Sequence, residues 1–167
     1  MFFYYLFNLL TAPGVMIHEL SHAFFCVVAG VKIKKIKLFQ FGNPAGYVVH
    51  EEPQKFYQSF LISFGPLIIN SLLAMFLFSQ FKTPYYNWQS LLYLWIGFAI
   101  GLHAIPSSGD AKSLFQSTNE KFWHNPLVIV AYPFIIILYI LNLLKRLHID
   151  IVYVGFLFWL GDIFLKL

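Results

Sequence analysis

Apolar positions along this chain fall into long runs separated by short polar stretches, at about residues 2–29, 56–81, 88–105, 126–144 and 149–165. Each run approaches the roughly 20 residues a helix needs to cross a bilayer, so the pattern predicts about five transmembrane helices. The first run is interrupted by Pro13 and Gly14, with Thr11 in position to cap a helix; the alternative is a shallow first segment followed by a helix from near Pro13. The second contains Gly65, Pro66 and Asn70, which predict a kink and a close helix contact, and the fourth carries Pro133 in its middle. Between the first two runs, VKIKKIKLFQFGNPAGYVVH alternates β-branched residues with lysine around Gly42, Asn43, Pro44 and Gly46. That is a β-hairpin pattern, either a connector at the membrane surface or an edge to which an extended peptide adds as a strand. The polar stretch Ser113 to Trp123 is placed at the interface. The expectation is an all-α polytopic membrane protein with a small membrane-associated β-hairpin, one domain over residues 1–167 without internal repeats.

Composition agrees with the pattern. Of 167 residues, 59% are hydrophobic, 20% aromatic and only 11% charged, more apolar surface than a water-soluble globule can cover. The formal charge of +4 comes from scattered lysines and not from an aromatic-interleaved groove, which excludes nucleic acid as a partner and makes the lipid bilayer the surroundings. Cys26 is the single cysteine, so no internal disulfide forms. The opening MFFYYLFNLL lacks the basic start of a secretory signal and is read as retained. With five spans, Lys82, Lys145 and Arg146 fall on the side of the N-terminus, against Lys32, Lys34, Lys35, Lys37, Lys55, Lys112, Lys121 and Lys166 on the other. The positive-inside rule then puts the N-terminus outside and the hairpin in the cytoplasm, most simply across the cell membrane. The first and third spans run the same way, so the late part of one and the end of the other meet at one depth.

The chemistry lies in PGVMIHELSHAFFCVVAG, where His18, Glu19 and His22 stand inside an otherwise apolar helical run. Hydrocarbon surroundings penalise such groups unless they face a polar interior or a metal. Residues four apart share a helix face, so His18 and His22 present two imidazoles to one ion, while Glu19 reaches a water bound there. Zinc suits that set, given a third protein ligand and an open position. Asp110, past Pro106 at the inner end of the third span, has the right depth and a suitable carboxylate. Its other reading is the third helical residue of a helix capped by Ser107. Asp162, Asp150 with His148, and Cys26 are further candidates, while His50, Glu51 and Glu52 are placed after the hairpin as solvated groups.

HELSH at His18 to His22, the following AGVKIKKIKLFQFGNPAGYV, GPLIIN ending at Asn70 and HAIPSSGD ending at Asp110 together resemble the site-2 protease family of intramembrane zinc metalloproteases, over about the first two thirds of the chain. The resemblance implies a catalytic core over about residues 1–124, additional helices over about 125–167, and zinc held by His18, His22 and Asp110 with Glu19 as general base. It also implies hydrolysis of a peptide bond in or near a transmembrane segment of a membrane-protein substrate. Two features depart from the family pattern: His103 stands three before Pro106 where the family usually has an asparagine, and Asp110 lies between Gly109 and Ala111 instead of in Leu-Asp-Gly. There is also no PDZ-like insert, which makes this a compact member. His103 at the asparagine's place is either a packed side chain or a donor to the developing oxyanion. The rival to the protease reading is a noncatalytic protein of the same fold that binds transmembrane helices or a metal; the carboxylate of Glu19 between the histidines speaks for catalysis.

Overall fold

The computed structural model describes residues 2–81, 87–121 and 126–164. The chain forms α1 (Phe2–Leu10), α2 (Ala12–Val28), β1 (Ile33–Lys37), β2 (Tyr47–His50), α3 (Phe56–Ser79), α4 (Trp88–Leu102), α5 (Ser108–Lys121), α6 (Pro126–Leu144), a 3-10 turn (Lys145–Leu147) and α7 (Ile149–Phe164).

The first apolar run is two helices that break at Thr11. Pro13 sits in the first turn of α2, where a missing N–H costs nothing. Thr11 does not cap α2 with its side chain, as its position suggested; its hydroxyl donates back to the Phe7 carbonyl, 2.9 Å. At the other end Gly30, at φ +68, lets the Val31 N–H reach the Cys26 carbonyl (2.8 Å) and its own N–H the Val27 carbonyl (3.1 Å). This left-handed cap stops the helix and turns the chain into the hairpin. Val31 and Cys26 then share an apolar cluster with Ala29 and Ile62.

Helix α3 lies antiparallel to α2: Gln58 donates to the Ala29 carbonyl (2.9 Å), Gly65 faces Phe25, and Ser21 donates to Asn70 Oδ1 (3.2 Å). Helix α4 runs parallel to α2, with Trp95 bonded to the Leu10 carbonyl (3.0 Å) and Gly14 against Ala99. A Cβ on Gly14 would stand 1.9 Å from the Ala99 oxygen, so that crossing tolerates no side chain. Asn70 is fully buried where the three helices meet, and its Nδ2 donates to the Ile100 and His103 carbonyls at 3.4 and 3.2 Å. Those carbonyls belong to the end of α4, where orphan acceptors need a donor. Helix α5 packs on the first half of α3 through Phe56, Leu114 and the pair Ser59 and Ser117, 3.2 Å. Helix α7 returns along α3, with Tyr153 bonded to Ser71 (2.7 Å) and Phe158 against Phe78.

Among the described residues one helix, α3, is long and apolar enough to cross a membrane alone, with 24 residues and a mean hydropathy of 2.1 over an 18-residue stretch. Helices α6 and α7 meet that standard together, as a pair bent by 118°, while α2 and α4 are shorter apolar helices. The five full spans expected from the pattern are therefore one long helix, a bent pair and short helices. The difference arises because the chain breaks at Thr11, between His103 and Ser107, and at Lys145–His148, all within or beside apolar runs. Outward faces are apolar: Val27, Val130 and Val152 are 71%, 71% and 65% exposed. Exposed apolar side chains of this kind are compatible with a lipid surrounding.

The hairpin forms as expected, antiparallel, with Ile36 opposite Val48 and Lys37 opposite Tyr47 and an irregularity between Ile33 and Lys35. It packs beside α2. Lys145 corrects the lysine count. It does not sit at the far end from the hairpin; its Nζ donates to the carbonyls of Ile105 and Pro106 at 2.7 and 3.3 Å, at the depth of the α4–α5 break. Lys82 and Lys166, also used in that count, lie outside the described residues.

Candidate metal centre

His18 and His22 project from one face of α2 and are both buried. Each ring has one nitrogen committed to a carbonyl. His18 Nδ1–H donates to the His103 carbonyl at 2.6 Å, and His22 Nδ1–H to the Ile62 carbonyl at 2.9 Å. Both acceptors are free for a reason that lies in the sequence. The His103 carbonyl follows the last turn of α4 and has no helical partner. The Ile62 carbonyl lies inside α3 but four residues before Pro66, which has no N–H to give it. Pro66 thereby makes an acceptor for His22 in the middle of a helix.

With Nδ1 protonated, each neutral ring carries its lone pair on Nε2. These two nitrogens lie 3.2 Å apart. Asp110 Oδ2 closes the group at 3.4 Å from His22 Nε2 and 3.9 Å from His18 Nε2. The three ligand atoms are all within 4.8 Å of one another, and no other such group occurs among the described residues. With both rings neutral, the three atoms offer three lone pairs to one cation. Tetrahedral zinc with bonds of about 2.0–2.2 Å sets its ligand atoms about 3.3 Å apart, which matches this triangle.

Asp110 caps α5 and also stands in the group that could hold a metal, so the two readings the sequence left as alternatives are compatible. It is the third residue of α5, its N–H bonded to Ser107 Oγ (3.3 Å), while its Oδ2 accepts from Ser107 N (3.0 Å) and Ser107 Oγ (2.5 Å). This is a reciprocal capping box with aspartate in place of glutamate. The same bonds that start the helix hold the carboxylate toward the histidines.

The triad opens on a cavity of ≈ 340 Å³ roofed by the hairpin loop and β2, with Glu19 on its wall. Glu19 is buried, one residue round the helix from His18. Gly46 passes directly over it: a Cβ there would stand 2.7 Å from Glu19 Cγ and 2.9 Å from the Leu38 carbonyl. His50 belongs to β2 and also lines the cavity, so it does not lie beyond the hairpin as expected.

His103 lines the cavity too, with its ring tied back to α1. Nε2 lies 2.9 Å from Thr11 Oγ1, whose own proton goes to Phe7, so the imidazole donates that bond. Its Nδ1 is then an acceptor. In that tautomer the Nε2–H is committed to Thr11, and it is the His103 carbonyl that bonds to His18. Cys26 is fully buried in its apolar cluster, away from the histidine rings. Asp150 accepts its neighbour Ile151 N–H at 3.1 Å, and neither it, His148 nor Asp162 joins the ligand group.

Sequence reasoning missed Lys145 and Asn142. Asn142 donates to the Pro106 carbonyl at 2.8 Å beside Lys145, so the end of α6 clamps the loop that carries Ser107 and Asp110. The signal was a lysine and an asparagine at the end of an apolar helix.

Two histidines four apart on one helix, a carboxylate between them and a third ligand-type side chain delivered by another helix define a metallopeptidase-like centre in an apolar helical protein. The particular family follows from comparison: residues 2–107 match the Peptidase M50B-like family, and the chain belongs to it. Asp110 falls just beyond the matched segment. No curated protein and no solved structure matches the chain significantly.

Proposed function

We propose that the protein is a zinc-dependent endopeptidase that hydrolyses a peptide bond in or near a transmembrane segment of a membrane-protein substrate. The observation that carries this reading is the convergence of His18 Nε2, His22 Nε2 and Asp110 Oδ2 within one cavity that also holds Glu19. Bound there, zinc would supply Lewis acidity toward the scissile carbonyl and toward a water. Glu19 takes the proton of that water as its oxygen forms the new bond to the carbonyl carbon. The C–N bond then breaks, and Glu19 returns the proton to the leaving nitrogen, so no net proton is consumed. His18, His22 and Asp110 hold the ion, and their carbonyl and Ser107 partners hold them.

The hairpin lies over the site, and among the described residues each of its two strands has one edge that no further strand pairs. A substrate unwound to expose its scissile bond has unpaired main-chain groups, and strand addition to such an edge satisfies them. The test compares purified wild type with Glu19→Gln in detergent, measuring bound zinc and cleavage of a single-span membrane protein. Stoichiometric zinc in both with cleavage only by wild type is the expected result. Zinc in neither, or equal cleavage by both, overturns the reading.

A further inference from the structure

Helix α1 is inside out. Leu6, Phe7, Leu9 and Leu10 are exposed, while the polar residues Asn8 and Thr11, three apart on one face, are buried. Thr11 has its partners in Phe7 and His103. Asn8 does not: it is 7% exposed, and among the described residues its Nδ2 has no acceptor. An amide placed in such surroundings without a partner carries its full desolvation cost, so the arrangement calls for an acceptor that arrives from elsewhere. Asn8 lines the same cavity as Glu19, His18, His22 and Asp110.

We propose that Asn8 is a substrate-binding residue that donates its side-chain N–H to a main-chain carbonyl of an extended peptide lying in this cavity. The proposal rests on the peptidase reading and deepens it. A peptide held extended at the depth of the triad has carbonyls that neither its own helix nor water satisfies. On the roof, the hairpin offers main-chain groups; from α1, Asn8 offers a lone donor. An asparagine amide suits this role in an apolar protein because it binds a carbonyl of any residue without bringing a charge. It favours the peptide main chain over a particular side chain.

The probes are two hydroxamates, one joined to a Leu-Phe peptide arm and one, acetohydroxamate, with no arm. Both grip zinc; only the first offers peptide carbonyls. In Asn8→Leu, which keeps the branched shape and removes the donor, zinc content is expected to stay at the wild-type level. Affinity for the peptidyl hydroxamate is expected to fall about three- to tenfold, the worth of one neutral hydrogen bond, while that for acetohydroxamate is unchanged. Asn8→Gln is expected to recover part of the loss. Equal affinity of wild type and Asn8→Leu for the peptidyl probe overturns the proposal, as does a parallel loss of both probes with zinc, which makes Asn8 a structural residue. A wild type that holds zinc and binds acetohydroxamate but not the peptidyl probe also overturns it. Failure of the peptidase reading shows separately, as zinc-free wild type or as cleavage that ignores Glu19→Gln.

Discussion

At the level of single residues, the centre depends on acceptors made by absent or orphaned helical hydrogen bonds. Pro66 frees the Ile62 carbonyl for His22, and the end of α4 frees the His103 carbonyl for His18. Pro66→Ala restores an N–H that competes for Ile62. Helical stability is expected to hold or rise, while zinc affinity, read by competition with a chelator, falls about tenfold, the usual cost of losing an outer hydrogen bond to a ligand histidine. Unchanged affinity would show that the Ile62 bond does not orient His22. Ser107→Ala removes the hydroxyl that both caps α5 and holds Asp110; a loss of about 1 kcal/mol in stability is expected together with weaker zinc binding. Asp110→Asn is expected to weaken zinc less than His18→Ala or His22→Ala, because an amide oxygen still coordinates poorly. The histidines and Glu19 were legible in the sequence because each breaks the apolar pattern of its surroundings; Asp110, in a polar stretch, was legible only through its depth at the end of the third apolar run. Pro66 was legible only as a kink. That its missing N–H serves a histidine 44 positions earlier needs the pairing of α2 with α3, which no local pattern contains.

Among the elements, the hairpin and the short helices show where local pattern succeeds and where it stops. The hairpin was readable from alternation and turn residues, because a two-stranded unit is specified by its own neighbours. Its position over Glu19 was not, since that follows from the tight turn at Gly30 and the close pass of Gly46. Gly46→Val places branched carbons against Glu19 and Val15. Cleavage is expected to drop at least tenfold while zinc content stays near wild type, because the atoms nearest a Cβ at Gly46 belong to Glu19, Leu38 and Val15 and not to the candidate ligands. Zinc loss in that variant would mean that the hairpin supports the ligands themselves. The break at Thr11 was one of two readings the sequence left open, because a run of apolar residues reads as one span whether or not the helix inside it stops; the new helix after Ser107 was readable from its cap. What stops these helices is polar: Thr11 bonds backwards, and Ser107 starts a new helix with Asp110.

Taken as a whole molecule, the protein is a three-helix arrangement of α2, α3 and α4 joined at Asn70, with α5 supplying Asp110, the third member of the candidate ligand group, and the end of α6 clamping its loop. The last helices carried no recognisable motif, and their contribution emerges only from contact. Lys145→Met leaves the Ile105 and Pro106 carbonyls without their cation and frees the Asp110 loop. Lower zinc affinity is expected, with partial recovery in Lys145→Arg; a variant indistinguishable from wild type would confine α6 to packing. All of these expectations stand on one claim, that His18, His22 and Asp110 hold a zinc ion. The most direct test is elemental analysis of protein purified in detergent from zinc-replete cells, comparing wild type with the double variant His18→Ala, His22→Ala. One zinc per chain in wild type and almost none in the double variant is the result expected. Stoichiometric zinc retained by the double variant, or none in wild type, would contradict it.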